Sequence, residues 1–245
     1  MISFEGRVLL MSGAAGGIGL ATARAFAGAG ASLALGDLDE RRLADMMAAL
    51  NLPADRLYLA RHDATDPESS RDLVRQAQEK FGGIDIVVPN AGFYPTEPFD
   101  SISVTSWSRT LAVNLDGVFH LCQAALPALR PDASLVLVAS MAAHYGSPTH
   151  AHYAAAKGGV LSLTRSLAKE LAPGVRVNAV SPGLIDTPMV QPLMQARGPE
   201  LLNVTPLRRL GAPEEVANCI AFLASPLSSY VTGATLHVNG GLYIA

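Results

Sequence analysis

Tyr153 and Lys157 stand four residues apart in His152-Tyr153-Ala154-Ala155-Ala156-Lys157. In a helix that spacing puts both side chains on one face. A free tyrosine has a pKa of roughly 10, too high for a base near neutrality. An ammonium beside it favours the phenolate and lowers that value. Such a pair can take a proton from an alcohol or return one to a ketone. The same spacing is common on helix surfaces that do no chemistry, so the neighbours decide. Ser140 follows the apolar run Leu135–Ala139. A hydroxyl at the C-terminal end of a strand sits where open α/β sheets place ligands, and this one could hold a substrate oxygen close to Tyr153.

A second constellation lies near the start of the chain, in Ser12-Gly13-Ala14-Ala15-Gly16-Gly17-Ile18-Gly19. Glycines there let the backbone turn sharply and let a pyrophosphate approach the N-terminus of the following helix. Alone, a glycine pattern is weak. Here a strand precedes it, a helix follows, and Asp37 ends the next strand in Leu35-Gly36-Asp37-Leu38-Asp39. A carboxylate at that place accepts hydrogen bonds from the adenosine ribose and repels a 2′-phosphate. No Arg or Lys lies in the glycine turn, and Leu38 follows Asp37, so the pattern favours NAD over NADP. Arg41 and Arg42 leave NADP open, although a solvated helix face accounts for them more simply.

The elements that must position these groups alternate. Strand-like runs occur at 7–12, 32–36, 57–61, 84–88, 134–139, 176–180 and 235–238. Several are apolar throughout, which suits strands covered on both faces of a parallel sheet. Stretches long enough for helices lie at 21–29, 69–81, 107–129, 154–171 and 213–223. This alternation predicts an α/β doubly wound fold with a seven-stranded parallel sheet in a single domain, 1–245. Gly30 ends the first helix, while Pro213, Glu214 and Glu215 open the last. The stretch 184–207 is rich in proline and reads as one long irregular loop, the usual form of a substrate lid.

Composition narrows the classes further. Of 245 residues, 49% are hydrophobic and 16% charged, which suits a large core. The net charge of −3 provides no basic field for nucleic acid. Cys122 and Cys219 lie far apart and read as free thiols of a reducing compartment. With no signal-like or membrane-spanning apolar run, a cytoplasmic location is the expectation, without membrane or nucleic-acid partners. No carboxylate–histidine cluster suggests a metal.

Taken together, these motifs resemble the classical short-chain dehydrogenase/reductase family along essentially the whole chain. The glycine turn resembles the family's Thr-Gly-x-x-x-Gly-x-Gly, carried by Gly13, Gly17 and Gly19 around Ile18, with Ser12 in place of Thr. Asp63 resembles the adenine-contacting aspartate. Asn90-Ala91-Gly92 matches most of Asn-Asn-Ala-Gly, with Pro89 replacing the first asparagine. Asn114 resembles the catalytic asparagine that positions a relay water. Ser140, Tyr153 and Lys157 resemble the triad. Pro182, Gly183 and Thr187 resemble the segment lining the nicotinamide, and 232–241 the closing strand. Pro89 has no N–H, so the expectation is altered local support for the adenine pocket.

The resemblance implies a mechanism. Lys157 contacts the nicotinamide ribose and lowers the Tyr153 pKa, Tyr153 moves the proton, Ser140 orients the substrate oxygen, and Asn114 completes the relay. It also implies a homotetramer built through the helices at 107–129 and 154–171 and the last strand. On the substrate side, Phe93, Tyr94, Met141, His144, Tyr145 and His150 are expected to line the pocket, with Leu184, Ile185, Met189, Val190, Leu193 and Met194 from the loop. That surface suits a hydrophobic or aromatic small molecule of modest size, although mutual core packing explains many of these residues equally well. His144 and His150 could bond a polar substrate group. Arg197 and Arg209 leave room for a charged one, so a 3-oxoacyl-carrier-protein type reductase is the alternative within the family. That type usually prefers NADP, against which Asp37 argues. An idle nucleotide-sensing module is the alternative outside enzymes, against which the intact Asn114, Ser140, Tyr153 and Lys157 argue.

Overall fold

The computed structural model describes residues 2–245. Seven parallel strands form one sheet in the order β3-β2-β1-β4-β5-β6-β7. They are β1 (Val8–Ser12), β2 (Ser32–Asp37), β3 (Leu57–Arg61), β4 (Ile84–Pro89), β5 (Leu129–Val138), β6 (Val175–Pro182) and β7 (Thr235–Val238). Strand order reverses between β1 and β4, and the crevice beyond that switch point is where such sheets bind ligands. All five residues of β1 are buried, as a strand covered on both faces requires. One core cluster gathers Phe26, Leu35 and Val216 with the β1 side chains Leu9 and Met11. The other gathers Leu10, Val118, Leu121 and Val160 across the opposite face.

The helices are α1 (Gly17–Gly28), α2 (Glu40–Ala48), α3 (Pro67–Phe81), α4 (Val104–Leu111), α5 (Gly117–Ala125), α6 (Ala142–Tyr145), α7 (Ala151–Glu170), α8 (Gln191–Val204) and α9 (Pro213–Ala224). Local chemistry explains their ends. Asp66 accepts from the Glu68 N–H at the start of α3, and Gly82, at φ 76°, closes it. Glu215 reaches back to the Ala212 N–H at 2.7 Å to open α9. Beneath the sheet, buried Asp85 takes Arg7 at 2.7 Å, Arg130 at 2.9 Å and the Val8 N–H at 2.9 Å, so one carboxylate anchors the starts of β1, β4 and β5.

Three sequence expectations need correction. The single helix expected over 107–129 begins earlier, where Ser103 caps the Ser106 N–H, and is broken by a π turn at Ala112–Asp116. Pro127 then tightens its end, and β5 starts at Leu129 instead of Ser134. The long loop over 184–207 contains α8. Pro192 sits in the first turn of α8, where a missing N–H costs nothing, and the backbone leaves helical geometry at Arg197, just before Gly198-Pro199. The solvated helix face read at Arg41 and Arg42 is that of α2, of whose nine residues only Leu43 and Met47 are buried.

Candidate active site

The glycine turn packs into the end of β4. Gly13 has φ +64°, and a Cβ there would meet the Ala91 Cα at 2.6 Å. A Cβ on Gly19 would strike the Gly13 carbonyl at 2.3 Å, so the turn and α1 approach too closely for a side chain. Ser12 Oγ accepts the N–H groups of Asn90 (3.2 Å) and Ala91 (3.3 Å), and Asn90 Nδ2 donates to the Gly13 carbonyl at 2.8 Å. Pro89 pairs with Ser12 in the β1 ladder, while the β4–β5 register ends at Val87. Its missing N–H therefore falls beyond the β5 ladder, and Ser12 supports the segment that follows.

These residues fit a dinucleotide. Gly16 precedes α1 with no side-chain cap, and no acidic residue occupies the first turn. The N–H groups of Gly17, Ile18 and Gly19 thus present the positive end of a helix to an anion. Asp37 lies beside them, accepting the Ala15 N–H at 2.9 Å and the Asp39 N–H at 3.2 Å. Asp63 accepts from Thr65 N (3.0 Å) and Oγ1 (2.7 Å), which holds its carboxyl below the usual range. Thr187 closes the far side, for a Cβ on Gly17 would meet its Cγ2 at 2.6 Å. Gly183 abuts Asn239 too closely for a Cβ, at 2.7 Å, and the Pro182 carbonyl accepts the Met141 N–H at 2.8 Å. That bond links the end of β6 to the turn bearing Ser140.

Ser140 follows β5, and Tyr153 and Lys157 lie two and six residues past the first residue of α7. Tyr153 is 8% exposed and Lys157 3%. Lys157 Nζ donates to the Val138 carbonyl at 2.8 Å and stands 5.8 Å from the Tyr153 ring centroid. Burial pushes the Tyr153 phenol up to about 12, against a smaller downward pull from the Ser140 hydroxyl. Burial also pulls Lys157 down to about 8. In the protein alone burial dominates both groups, and the phenol is held as an acid.

Asn114 is fully buried in the π turn. Its Oδ1 accepts the Phe93 N–H at 3.2 Å, and its Nδ2 donates to the carbonyls of Phe93 (2.8 Å) and Thr110 (2.9 Å). The side chain is thus committed to holding the irregular segment after Gly92 against the kink between α4 and α5. A π turn shifts the main-chain pattern at this one place, a form of irregularity frequent at functional sites.

The residues expected around the substrate separate into two groups. The Tyr94 ring meets the Tyr153 ring edge-on at 4.7 Å and stacks on His150 at 3.9 Å, within 2° of parallel. His150 bonds Thr96 Oγ1 through Nε2 at 3.0 Å and the Pro148 carbonyl through Nδ1 at 2.8 Å. Both nitrogens are used within the protein, so of the two roles open to His150, substrate contact or structural support, the side chain fills the structural one. His144 instead stacks on Tyr243 at 5.0 Å and meets His237 at 4.7 Å, turning its ring to the C-terminal tail. Tyr145 is exposed, and Ile185 and Val190 are buried. A cavity of about 410 Å³ shares Leu184 and Ile185 with this region but is otherwise lined by residues such as Leu207, Arg209, His237 and Asn239. It contains none of the proton-transfer groups.

His152 was not anticipated. It is fully buried, its Nδ1 accepts the Tyr153 N–H at 3.0 Å, and its Nε2 has no partner among the described residues. Its place in the first turn of a helix, where N–H groups lack partners, was the available signal.

Comparison with known proteins places these features in a family. The family model described as enoyl-(acyl carrier protein) reductase matches residues 13–243. The 3-oxoacyl-(acyl-carrier-protein) reductase of Thermotoga maritima is 41% identical, over 98% of this chain and 99% of its own. The cis-4-hydroxycyclohexanecarboxylate dehydrogenase of Sinomonas cyclohexanicum is also 41% identical, over 98% of this chain and 97% of its own. A crystal structure titled short-chain dehydrogenase/reductase SDR: glucose/ribitol dehydrogenase, from Brucella melitensis, superposes with a TM-score of 0.98 at 50% identity, covering 100% of this chain and 99% of that one.

Proposed function

We propose that this chain, which belongs to the classical short-chain dehydrogenase/reductase family, interconverts a secondary alcohol and a ketone with NAD(H). It is an oxidoreductase of a family that works with nicotinamide cofactors. The observation that carries the finer reading is a buried Tyr153 phenol with the Lys157 ammonium 5.8 Å from its ring and Ser140 on the turn after β5. An acid in that position gives its proton to a ketone oxygen and, as phenolate, recovers one from an alcohol.

The residues have separable tasks in this reading. Gly13, Gly17, Ile18 and Gly19 hold the pyrophosphate, Asp37 the adenosine ribose and Asp63 the adenine. Asn90 and Gly92 support the pocket beside the glycine turn, Pro182, Gly183 and Thr187 border the nicotinamide half, and Tyr153 and Lys157 its ribose. The bound nicotinamide supplies hydride acceptance and donation. Ser140 orients the substrate oxygen, Tyr153 moves the proton, and Lys157 holds the proton path behind it. Because the Asn114 side chain is committed to Phe93 and Thr110, its contribution to a relay comes through the main chain of the π turn.

NAD is favoured by the Asp37 carboxylate at the glycine turn and by the exposed, uncharged Leu38 behind it. A substrate of modest size with a hydrophobic or aromatic body suits the aromatic surface around Tyr153. The names of the relatives point to unlike substrates, so side chains must decide among them. The second reading, reduction of 3-oxoacyl thioesters on a carrier protein, rests on the relatives bearing that name. Assembly as a homotetramer is supported by the apolar surface of α4 and α5, where Val104, Trp107 and Phe119 are exposed. The free thiols Cys122 and Cys219 suit a reducing cytoplasm. No helix among the described residues is long and apolar enough to cross a membrane.

Absorbance at the reduced-nicotinamide band tests the reading. Purified protein is offered NAD, then NADP, with 1-phenylethanol-type alcohols, sugars and hydroxyacyl thioesters, alongside Tyr153→Phe. Turnover with NAD that disappears in Tyr153→Phe is expected. Turnover confined to thioesters with NADP would install the second reading. Tight cofactor binding with no turnover at all would leave a nucleotide-sensing module.

A further inference from the structure

We propose that Tyr94 sets the specificity of this site, and that it selects secondary alcohols and ketones carrying an apolar ring over open-chain polyols. The inference deepens the alcohol–ketone reading and rests on it for the place of the reacting carbon, beside Tyr153. Tyr94 is a close aromatic neighbour of that proton-transfer group, edge-on to its ring at 4.7 Å. It is held there from behind by the parallel His150 ring at 3.9 Å.

Every polar atom of this wall is engaged within the protein. The Tyr94 hydroxyl pairs with Ser147 Oγ at 3.2 Å. The Pro148 carbonyl can only accept, so His150 Nδ1 carries the proton, and Nε2 accepts from Thr96 Oγ1 at 3.0 Å. Burial lowers the His150 pKa, which keeps the imidazole neutral and this pattern intact. The main chain braces the same two segments, the Glu97 N–H donating to the Thr149 carbonyl at 2.8 Å. What remains for a ligand is mainly aromatic carbon surface on a rigid mount.

The rest of the opening continues that character. Phe93 precedes Tyr94, its ring covered on one side by Arg109 at 4.7 Å. Met189 lies over Gly92, where an added Cβ would meet its Cε at 3.6 Å. A ring on the substrate gains contact with Tyr94 without asking for a hydrogen bond. The hydroxyls of a polyol leave water and find on this wall only the single O–H that the Tyr94–Ser147 pair leaves over, which penalises each further one buried. An apolar surface of this type discriminates against added hydroxyls by about a hundredfold at most.

The test compares kcat/KM for cyclohexanol and ribitol in the wild type, Tyr94→Phe, Tyr94→Leu and Tyr94→Ser. Wild type is expected to prefer cyclohexanol by about ten- to a hundredfold. Tyr94→Phe keeps the ring and the preference. Tyr94→Ser is expected to erase most of it, mainly by raising the cyclohexanol KM, and Tyr94→Leu to fall between. A second readout is calorimetric binding of cyclohexanone and 1,3-dihydroxyacetone to Tyr153→Phe protein with reduced cofactor, with and without Tyr94→Ser. Ring-selective binding that depends on Tyr94, without turnover of any alcohol, would leave the wall standing and remove the reaction. Wild-type preference for ribitol, or an equal loss of both substrates in Tyr94→Ser and Tyr94→Leu, would overturn the role of Tyr94 and leave the reaction intact.

Discussion

Lys157 directs its ammonium to the carbonyl of Val138, 2.8 Å away, and stands 5.8 Å from the centre of the Tyr153 ring. The two groups are shifted in opposite senses by one cause. Burial disfavours charge, so it raises the phenol to about 12 and lowers the ammonium to about 8. Tyr153 is therefore protonated across the neutral range, the form that the proposed reduction of a ketone needs. Alcohol oxidation needs the phenolate and is expected to rise with pH from 7 to 10, while ketone reduction stays level or falls. Initial rates in both directions at saturating cofactor measure this, and an oxidation rate flat over that range would remove Tyr153 as the titrating base.

The same shift sets a stability cost. Lys157 binds its proton less tightly when folded than when unfolded, so the penalty is full below about pH 8 and fades as pH rises toward 10.5. A shift of that size corresponds to about 3 kcal/mol. Lys157→Met keeps the buried stem without the charge. It is expected to melt higher than wild type at pH 7, with the gap closing by about pH 10, and to lose activity. Equal melting temperatures at pH 7 would show that the Val138 carbonyl already compensates the buried ammonium.

Asp37 carries two loads, the Ala15 N–H within the turn and, in the proposed reading, the ribose. Asp37→Ser with Leu38→Arg replaces the carboxylate by a small donor and puts a cation at an exposed position. Preference for NAD over NADP should fall by at least about a hundredfold, since loss of a ribose bond and gain of a phosphate bond each contribute roughly tenfold. Unchanged preference in steady-state kinetics would mean that selection lies elsewhere, with Arg41 and Arg42 the next residues to replace.

The strands were legible because a sheet buried on both faces writes apolar runs directly into the chain. Six of the seven runs fall within two residues of the observed strands, and β5 departs because Arg130-Pro131-Asp132 near its start, half-buried and then exposed, carries no such run. Helices were less legible where tertiary contacts shape them. Nothing local marks the π turn at Ala112–Asp116, since it is completed by the pull of Asn114 on Phe93, 21 residues away in the chain. In α8, prolines read as breakers, yet Pro192 is in the first turn and only Pro199 coincides with a break. Tyr153, Lys157 and Ser140 were legible as candidates from type, spacing and the family resemblance together. Their ionisation was not, because spacing reports adjacency of charge while burial, the larger effect, depends on the finished fold. The separation of His144 from His150 was likewise out of reach, since it turns on the rings of Tyr94 and Tyr243, brought up by distant segments.

His152 provides a test of positioning apart from proton transfer. The Tyr153 N–H lies in the first turn of α7, where no carbonyl one turn back is available, and His152 Nδ1 accepts it at 3.0 Å. The proton of the neutral ring then resides on Nε2, which is buried without a partner among the described residues. An asparagine places its Oδ1 close to where Nδ1 stands, whereas leucine fills the space and accepts nothing. His152→Asn is expected to keep the wild-type kcat within a few fold. His152→Leu leaves the Tyr153 N–H bare at a cost of about 1–2 kcal/mol in stability. Its kcat should fall about tenfold with little change in cofactor affinity, because the displaced group is the backbone that aims the phenol. Single-turnover rates and chemical denaturation read the two effects separately. Equal kcat values for the Asn and Leu variants would show that Ser140 and Tyr94 hold the ring unaided.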